Sequence, residues 1–385
     1  MINILRDKFL EEFHTLEGTR MFFSPGRVNI IGEHIDYNGG MVLPCALTIG
    51  TYGVISLRED DKIRVYSENF KDEGVIHLTL KYNELENGYY DYIIAILALL
   101  RKNGYEVARG FDLYLYGNIP NGSGLSSSAS LTVLLGYLLS DLFGFGFSKV
   151  DIARLGQACE HYVGVNCGIM DHFASSLGND NSAIYLNTNT LKYSYVPVDF
   201  KDYHLVVANT NKKRKLTDSK YNERRAECDK SLDILKKHFN IETLCNLKVM
   251  DLEKVEELLN DDVLFRRVKH AVKENDRVLK FSRALKEGDL ESAGKYLTES
   301  HESLRKDYEV TGIELDTIVN ALLVQEGTIG ARMVGAGFGG CAIALVRKDS
   351  VSSVTKFASN IYESIIGYAP TFYFVEIGTG VHKIS

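Results

Sequence analysis

The segment that most constrains this chain is a glycine- and serine-rich loop at residues 120–130, PNGSGLSSSAS, which stands between two regular elements. Residues 111–116 before the loop roughly alternate between apolar and polar, which predicts a strand. Residues 131–139 after the loop are almost all apolar and predict a buried helix. Glycines allow a tight turn, and serines suit the first turn of a helix. We therefore predict a strand–loop–helix unit.

A loop of this kind can hold an anion. The first amides of a helix have no intrahelical partner, the helix dipole is positive at that end, and the serines add hydroxyls. The natural ligand is a phosphate chain. The alternative is a connecting loop that only caps its helix, and the strand–loop–helix context favours the phosphate site.

Length and composition limit the class of protein. A chain of 385 residues is too long for one typical core, so we predict two domains, residues 1–199 and 200–385. The net charge of −7 argues against nucleic-acid binding, and the short basic cluster at 212–215 reads as a solvated face. Six scattered cysteines without a CxxC pair indicate reduced thiols in a cytoplasmic protein. No apolar run is long enough to indicate a membrane span.

A second unusual segment, residues 25–43, concentrates charges between glycines and apolar residues. Arg27, Glu33, His34 and Asp36 all lie within it. Charged groups in partly buried surroundings need partners or a polar ligand. The segment is therefore either a structural salt-bridge loop or a site for a sugar, whose hydroxyls both donate and accept hydrogen bonds.

A third glycine-rich segment, residues 335–340, matches GxGxxG. A dinucleotide fingerprint requires a helix after the glycines, whereas residues 341–346 are apolar and strand-like. We therefore reject a Rossmann oxidoreductase. We predict a tight turn between two strands, whose backbone approaches a ligand or the facing domain.

Two helices and a loop supply further candidate residues. Residues 148–163 predict a helix that carries Glu160, and Asp171 begins a short helix after the loop at 164–171. Taken alone, Asp171 reads as a helix N-cap. Tyrosines at 89, 90 and 92 open an apolar helix, where they either pack on a nucleotide base or belong to the core.

In this order, the three segments resemble those of the GHMP superfamily of small-molecule kinases. The stretch GRVNIIGEHIDYN at 26–38 resembles the galactokinase signature nearly residue for residue. Residues 166–171, NCGIMD, and residues 300–310, SHESLRKDYEV, agree with the same family. The resemblance spans almost the whole chain.

The resemblance implies an α+β fold of two domains, the N-terminal one mixed α/β and the C-terminal one an antiparallel sheet with helices, with the active site between them. The implied reaction transfers phosphate from ATP to the anomeric 1-OH of α-D-galactose, with Mg²⁺ as cofactor. The expected partners are galactose and ATP, with no nucleic acid and no membrane, and we expect a monomer.

Residue by residue, the resemblance implies these roles. The general base is Asp171 and its partner is Arg27, which keeps the carboxylate ionised but makes it a weaker base. The sugar-binding set is Glu33, His34, Asp36, Gly168 and Tyr221. The nucleoside lies near Ser67, Tyr89 and Tyr92. The phosphates are wrapped by Gly122, Ser123, Gly124, Leu125, Ser126, Ser127 and Ser128. The magnesium ligands are Ser128 and Glu160.

Two positions depart from the family pattern. His172 stands where the family has Gln, and we expect it to add pH sensitivity near Asp171. The segment from Glu160 to Asp171 is one residue shorter, so a helix without a gap would put Cys159 at the metal position. Two other functions stay open: a kinase for a related sugar such as N-acetylgalactosamine or arabinose, and a sensor that binds sugar and ATP without catalysis.

Overall fold

A computed structural model describes residues 1–78, 88–120, 124–212 and 217–384, with backbone only at 217–219. The predicted phosphate-loop residues Gly122 and Ser123 and the basic residues 213–215 lie outside these ranges. None of the described helices combines the length and the apolar composition that a membrane crossing requires.

The strands of the described residues form three sheets. Their bounds are β1 Arg20–Asn29, β2 Met41–Val42, β3 Pro44–Leu57, β4 Lys62–Ser67, β5 Asp72–His77, β6 Phe111–Gly117, β7 Ser182–Asn187, β8 Tyr193–Pro197, β9 Tyr203–Asn209, β10 Thr328–Val334, β11 Cys341–Arg347, β12 Thr371–Phe374 and β13 His382–Lys383. The sheet orders are β13-β1-β3-β6-β4-β5, β10-β11-β9-β12 and β2-β7-β8.

The helices follow the apolar periodicity of the sequence. Their bounds are α1 Ile2–Phe13, α2 Tyr90–Lys102, α3 Ser127–Phe143, α4 Lys149–Tyr162, α5 Met170–Leu177, α6 Thr217–Leu235, α7 Leu252–Leu259, α8 Asp262–Glu287, α9 Leu290–Ser303, α10 Ile313–Leu323 and α11 Val351–Ile366. A capping box between Ser148 and Asp151 begins α4, and the Asp261 side chain caps α8.

The first sheet is mixed, because β4 and β6 pair in parallel while its other pairs are antiparallel. Alternate residues of β6 point to opposite faces, as the period of a strand requires. Leu113 and Leu115 join the core under α2 and α3, whereas Tyr114 joins the core under α1. Both faces of the sheet are therefore covered.

The second sheet is antiparallel throughout. Helices α9, α10 and α11 contact it, and α8 contacts both α9 and the small third sheet. The chain then returns to the first sheet, where His382 in β13 pairs with Phe23 in β1. The fold is thus the α+β architecture that the resemblance implied, while the domain boundary near residue 200 stays a prediction.

The glycine-rich segments lie where the sequence predicted. The segment at 120–130 connects β6 to α3, and the segment at 335–340 connects β10 to β11. The strand after Gly340 confirms the argument against a dinucleotide fingerprint. The sequence predicted that a serine would cap α3, but Ser126, at the N-cap position, makes no capping bond and has φ +62°. Its hydroxyl donates to Asp171 instead.

Candidate active site

A cavity of about 370 Å³ opens where the three segments meet. This volume lies within the range typical of small-molecule sites. Its lining residues are Arg27, Glu33, His34, Asp36, Tyr37, Tyr92, Gly124, Ser126, Ser127, Ser128, Glu160, Val165, Cys167, Gly168, Met170, Asp171, Tyr221, Gly335 and Ala336.

The centre of the cavity is an ion pair between β1 and the first turn of α5. Arg27 Nε donates to Asp171 Oδ1 at 2.7 Å, and Nη2 donates to Oδ2 at 2.6 Å. The hydroxyl of Ser126 donates to the same carboxylate. Ile169 rather than Asp171 occupies the N-cap position of α5. The cap interpretation of Asp171 is therefore wrong, and its carboxylate is held for the cavity.

The glycine-rich loop is attached to β1 through its backbone. The carbonyl of Gly124 accepts a 2.8 Å bond from Arg27 Nη1, and the carbonyl of Leu125 accepts one from the Arg27 backbone. Gly26 permits this contact, because a Cβ there would lie 2.8 Å from the Leu125 oxygen. The same arginine thus positions both the loop and Asp171.

Glu33 is buried and held by one ion pair and two hydrogen bonds. Arg332 Nη2 lies 3.0 Å from Oε1, the Gly335 amide donates to Oε1 at 2.8 Å, and Asn29 donates to Oε2 at 3.1 Å. Burial raises the pKa of Glu33, and the two arginines offset this only in part. The third glycine segment therefore reaches the site through its backbone, as predicted.

His34 is buried and neutral. Its Nε2–H donates to the Ala336 carbonyl at 3.2 Å, which leaves Nδ1 to accept from the Tyr37 hydroxyl at 2.8 Å. Burial and the neighbouring His270 lower the pKa of His34 to about 3. Its φ of +62° is unusual for a residue with a side chain.

Asp36 lines the same cavity as Asp171. Burial, with the nearby Asp171 and Glu33 carboxylates, raises the pKa of Asp36 to about 7. A Cβ at Gly168 would overlap the Asp36 carboxylate, so this position requires glycine. Tyr221 closes the same side, with its ring 5.6 Å from that of His34.

The cavity wall below the loop carries Glu160, on α4. Glu160 lines the cavity, whereas Cys159 is fully buried and its thiol donates to the Tyr92 carbonyl. The side chains of His172, Ser128 and Cys167 lower the pKa of Glu160 against the effect of burial. His172 Nε2 lies 3.2 Å from Glu160 Oε1. The pH sensitivity expected from His172 near Asp171 stays a prediction.

Some predicted residues lie outside the cavity lining. Ser67 ends β4 and is buried, and Tyr89 donates to the Asp72 carbonyl and stacks on Phe70. The side chain of Leu125 is fully buried in the core. Any phosphate contact of Leu125 would therefore use its backbone, and the nucleoside roles of Ser67 and Tyr89 stay predictions.

Sequence reasoning missed several residues of the site. Arg332 and Asn29 hold Glu33, and Tyr37 holds His34. Tyr37 also shares a 2.9 Å hydrogen bond with Tyr308. Tyr37 stood inside the quoted signature and could have been found there, whereas nothing local marks Arg332 as a partner of Glu33.

Family models match three parts of the chain. The galactokinase galactose-binding signature matches residues 7–57, the GHMP kinases N terminal domain matches 91–179, and the GHMP kinases C terminal domain matches 281–364.

Curated relatives match over the full length. The chain is 49% identical to a galactokinase of Clostridium beijerinckii, covering 100% of this chain and 99% of the relative. It is 48% identical to a galactokinase of Streptococcus thermophilus, covering 98% and 97%.

Solved structures agree. The crystal structure of Lactococcus lactis galactokinase complexed with galactose matches with a TM-score of 0.97 and 44% identity, covering all of both chains. Methanococcus jannaschii mevalonate kinase, at 20% identity and a TM-score of 0.67 over 95% of this chain and all of its own, shares the fold. This chain therefore belongs to the galactokinase family of the GHMP kinases.

Proposed function

We propose that this protein transfers the γ-phosphoryl group of ATP to the anomeric 1-hydroxyl of α-D-galactose, giving galactose 1-phosphate and ADP. The observation that carries the proposal is the Asp171 carboxylate, held by Arg27 between the charged residues of segment 25–43 and the phosphate loop. Asp171 can thus accept a proton from a sugar bound against segment 25–43, close to the backbone amides at the start of α3 that would hold the phosphates.

The chemistry of the transfer follows from this placement. The sugar O1 forms a bond to the γ-phosphorus as the bond from that phosphorus to the bridging oxygen of ADP breaks. Asp171 accepts the proton that leaves O1. Arg27 and the amides at the start of α3 stabilise the charge that develops on the transferring group.

Glu33 and Asp36 would recognise the sugar through different kinds of hydrogen bond. Glu33, paired with Arg332, offers its carboxylate oxygens as hydrogen-bond acceptors. Asp36, with its pKa near 7, is available in either protonation state at neutral pH. A wrong epimer would leave one of these cavity-lining groups unpaired, which is costly.

We also propose that Mg²⁺ binds here. Glu160 offers a buried carboxylate oxygen without a hydrogen-bond partner in the described residues, and Ser128 adds a hydroxyl to the same wall. Hard oxygen donors of this kind fit Mg²⁺, which keeps most of its ligands as water or phosphate. When bound, the ion would neutralise phosphate charge.

We propose that the protein works as a monomer, which light scattering coupled to gel filtration would measure. We propose a reducing cytoplasmic setting, supported by six free cysteines. We also propose that the chain divides near residue 200.

The testing experiment is an ADP-release assay with galactose, glucose, N-acetylgalactosamine and arabinose. We expect galactose to give the highest kcat/KM. Faster turnover of N-acetylgalactosamine or arabinose would reassign the substrate. Tight galactose and ATP binding by calorimetry, with no ADP release above the sugar-free blank, would identify a sensor and contradict the proposal.

A further inference from the structure

Three side chains with different donor atoms meet at the wall of the cavity. Glu160 on α4, Cys167 in the α4–α5 loop and His172 on α5 each offer one ligand atom, and these atoms all lie within 4.8 Å of one another. Glu160 and Cys167 line the cavity, and His172 is fully buried behind them. The catalytic scheme above uses neither the thiol nor the imidazole.

Three buried polar atoms of this cluster lack a well-formed hydrogen bond, while Glu160 also interacts with the side chains of Ser128 and Cys167. Among the described residues, Glu160 Oε1 and both ring nitrogens of His172 are buried and make none, although Nε2 and Oε1 are only 3.2 Å apart. Leaving such groups unpaired in the interior costs free energy. Glu160 Oε1 and His172 Nε2, which face each other at 3.2 Å without such a bond, therefore indicate the place of a missing ligand.

The chain makes room for the imidazole in particular. Gly156 lies one helical turn before Glu160 on α4, and a Cβ at Gly156 would come within 2.9 Å of His172 Cδ2. The ring therefore occupies space that only a glycine leaves, directly beside the carboxylate. The contact between α4 and α5 thus holds the His172 ring in a defined position.

Thiolate, imidazole and carboxylate together are the donors that zinc and cobalt prefer, whereas magnesium prefers oxygen alone. We propose that Glu160, Cys167 and His172 bind a divalent ion of the zinc type, with a fourth position open to the cavity. Ligand atoms of a tetrahedral zinc lie roughly 3.3–3.8 Å apart. The 3.2 Å pair is already near this spacing, and the widest pair must close by about 1 Å.

Binding releases one proton. Burial and the Glu160 carboxylate raise the pKa of the Cys167 thiol, so the free protein holds a thiol. The metal displaces that proton to solvent as the sulfur–metal bond forms, and His172 binds through a neutral nitrogen.

Magnesium, proposed above, and the zinc-type ion would both use the unpartnered oxygen of Glu160, so the two ions would compete for it. Zinc at the cluster would withdraw Glu160 from magnesium and inhibit phosphoryl transfer. This consequence, unlike the binding itself, depends on the proposed function.

The test uses cobalt as a spectroscopic probe of the full-length, reduced protein without nucleotide. We expect one Co²⁺ per chain, with a thiolate-to-cobalt charge-transfer band and the visible bands of tetrahedral cobalt. Cys167→Ser should remove the charge-transfer band. His172→Gln should weaken Co²⁺ binding by more than about 10–100-fold. That factor is the usual cost of losing a residue that only hydrogen-bonds to a metal ligand, and His172 is proposed as a ligand itself.

His204→Gln is the matched control, since His204 is exposed on β9 and should leave the spectrum unchanged. No charge-transfer band in the wild type would overturn the proposal, and so would a band that survives in Cys167→Ser. Should Cys167→Ser fail to fold by circular dichroism, unchanged cobalt affinity in His172→Gln would overturn it equally. A cobalt complex in a protein without kinase activity would instead count against the proposed function alone.

Discussion

At the scale of single residues, Asp171 illustrates how a carboxylate is kept in one orientation. Both of its oxygens accept from the guanidinium of Arg27, and one also accepts from Ser126. Bidentate pairs of this kind add geometric precision to the charge interaction. The carboxylate is therefore already oriented for the proton transfer that we propose.

We expect Asp171→Asn to lower kcat by about 10²–10⁴-fold, the usual contribution of a positioned acid or base. The amide has nearly the same shape, and Arg27 keeps its bond to the Gly124 carbonyl, so the variant should fold. The measurement is ADP release at saturating galactose, with a melting curve for each protein. Asp180→Asn, at an exposed aspartate, is the control. Full activity of Asp171→Asn would place the base elsewhere.

The raised pKa of Asp36 makes the free energy of unfolding depend on pH. Its folded-state pKa of about 7 lies above that of an unfolded aspartate, about 3.9. The folded protein thus binds the proton more tightly, and the stability that this contributes is present below about pH 4 and is lost as pH rises to about 7.

Asp36→Asn should therefore stabilise the sugar-free protein more at pH 8 than at pH 5. One pKa unit is worth about 1.4 kcal/mol. Because Asp36 is partly exposed and solvent weakens the effect, we expect a difference of only about 1–2 kcal/mol. Urea unfolding of variant and wild type at both pH values measures it. Asp180→Asn should show no such difference. An equal effect of Asp36→Asn at both pH values would contradict the raised pKa.

At the scale of elements, the turn between β10 and β11 acts through its backbone. The Gly335 amide binds Glu33, and the Ala336 carbonyl accepts from His34. Gly335 has φ +83°, and a Cβ there would lie 3.1 Å from the Gly124 carbonyl oxygen. The turn therefore touches both the predicted sugar site and the phosphate loop.

Gly335→Ala should lose about 1–2 kcal/mol of stability through its left-handed backbone and should also lose most activity, because it displaces the phosphate loop. Gly144→Ala is matched to it, with φ +69° and nothing within 4 Å of the added Cβ. It should lose similar stability and keep its activity. Melting temperatures and ADP release distinguish the two effects. Equal activity of both variants would show that the contact with Gly124 is unimportant.

At the scale of the whole molecule, Arg332 joins the second sheet to the segment after β1. Its side chain is fully buried, pairs with Glu33 and donates to the Ile30 carbonyl at 2.9 Å. Removing one partner of a buried ion pair leaves an uncompensated charge, which typically costs 3–5 kcal/mol.

Arg332→Met should thus lower the free energy of unfolding by about 3–5 kcal/mol and raise KM for galactose more than it lowers kcat, because Glu33 loses its orientation. Arg347→Met, on the neighbouring strand β11 with an exposed pair to Asp349, should change stability by no more than about 1 kcal/mol. Denaturation curves and steady-state kinetics test both. An unchanged KM in Arg332→Met would show that Glu33 does not depend on Arg332.

The sequence alone determined most of the elements and the identity of the three segments. Apolar periodicity is a local record of burial, so it located α4, the strand β9 and the strand after Gly340. Charged residues between apolar ones in segment 25–43 marked a site for the same reason, because buried charges need partners.

Only the tertiary structure decided which groups meet. Arg332 reaches Glu33, Ser126 turns its hydroxyl to Asp171 rather than to its own helix, and His172 faces Glu160. Each of these contacts joins residues distant in the chain, and their geometry depends on how sheets and helices pack. Local sequence patterns report whether a side chain is buried, whereas packing determines what it is buried against.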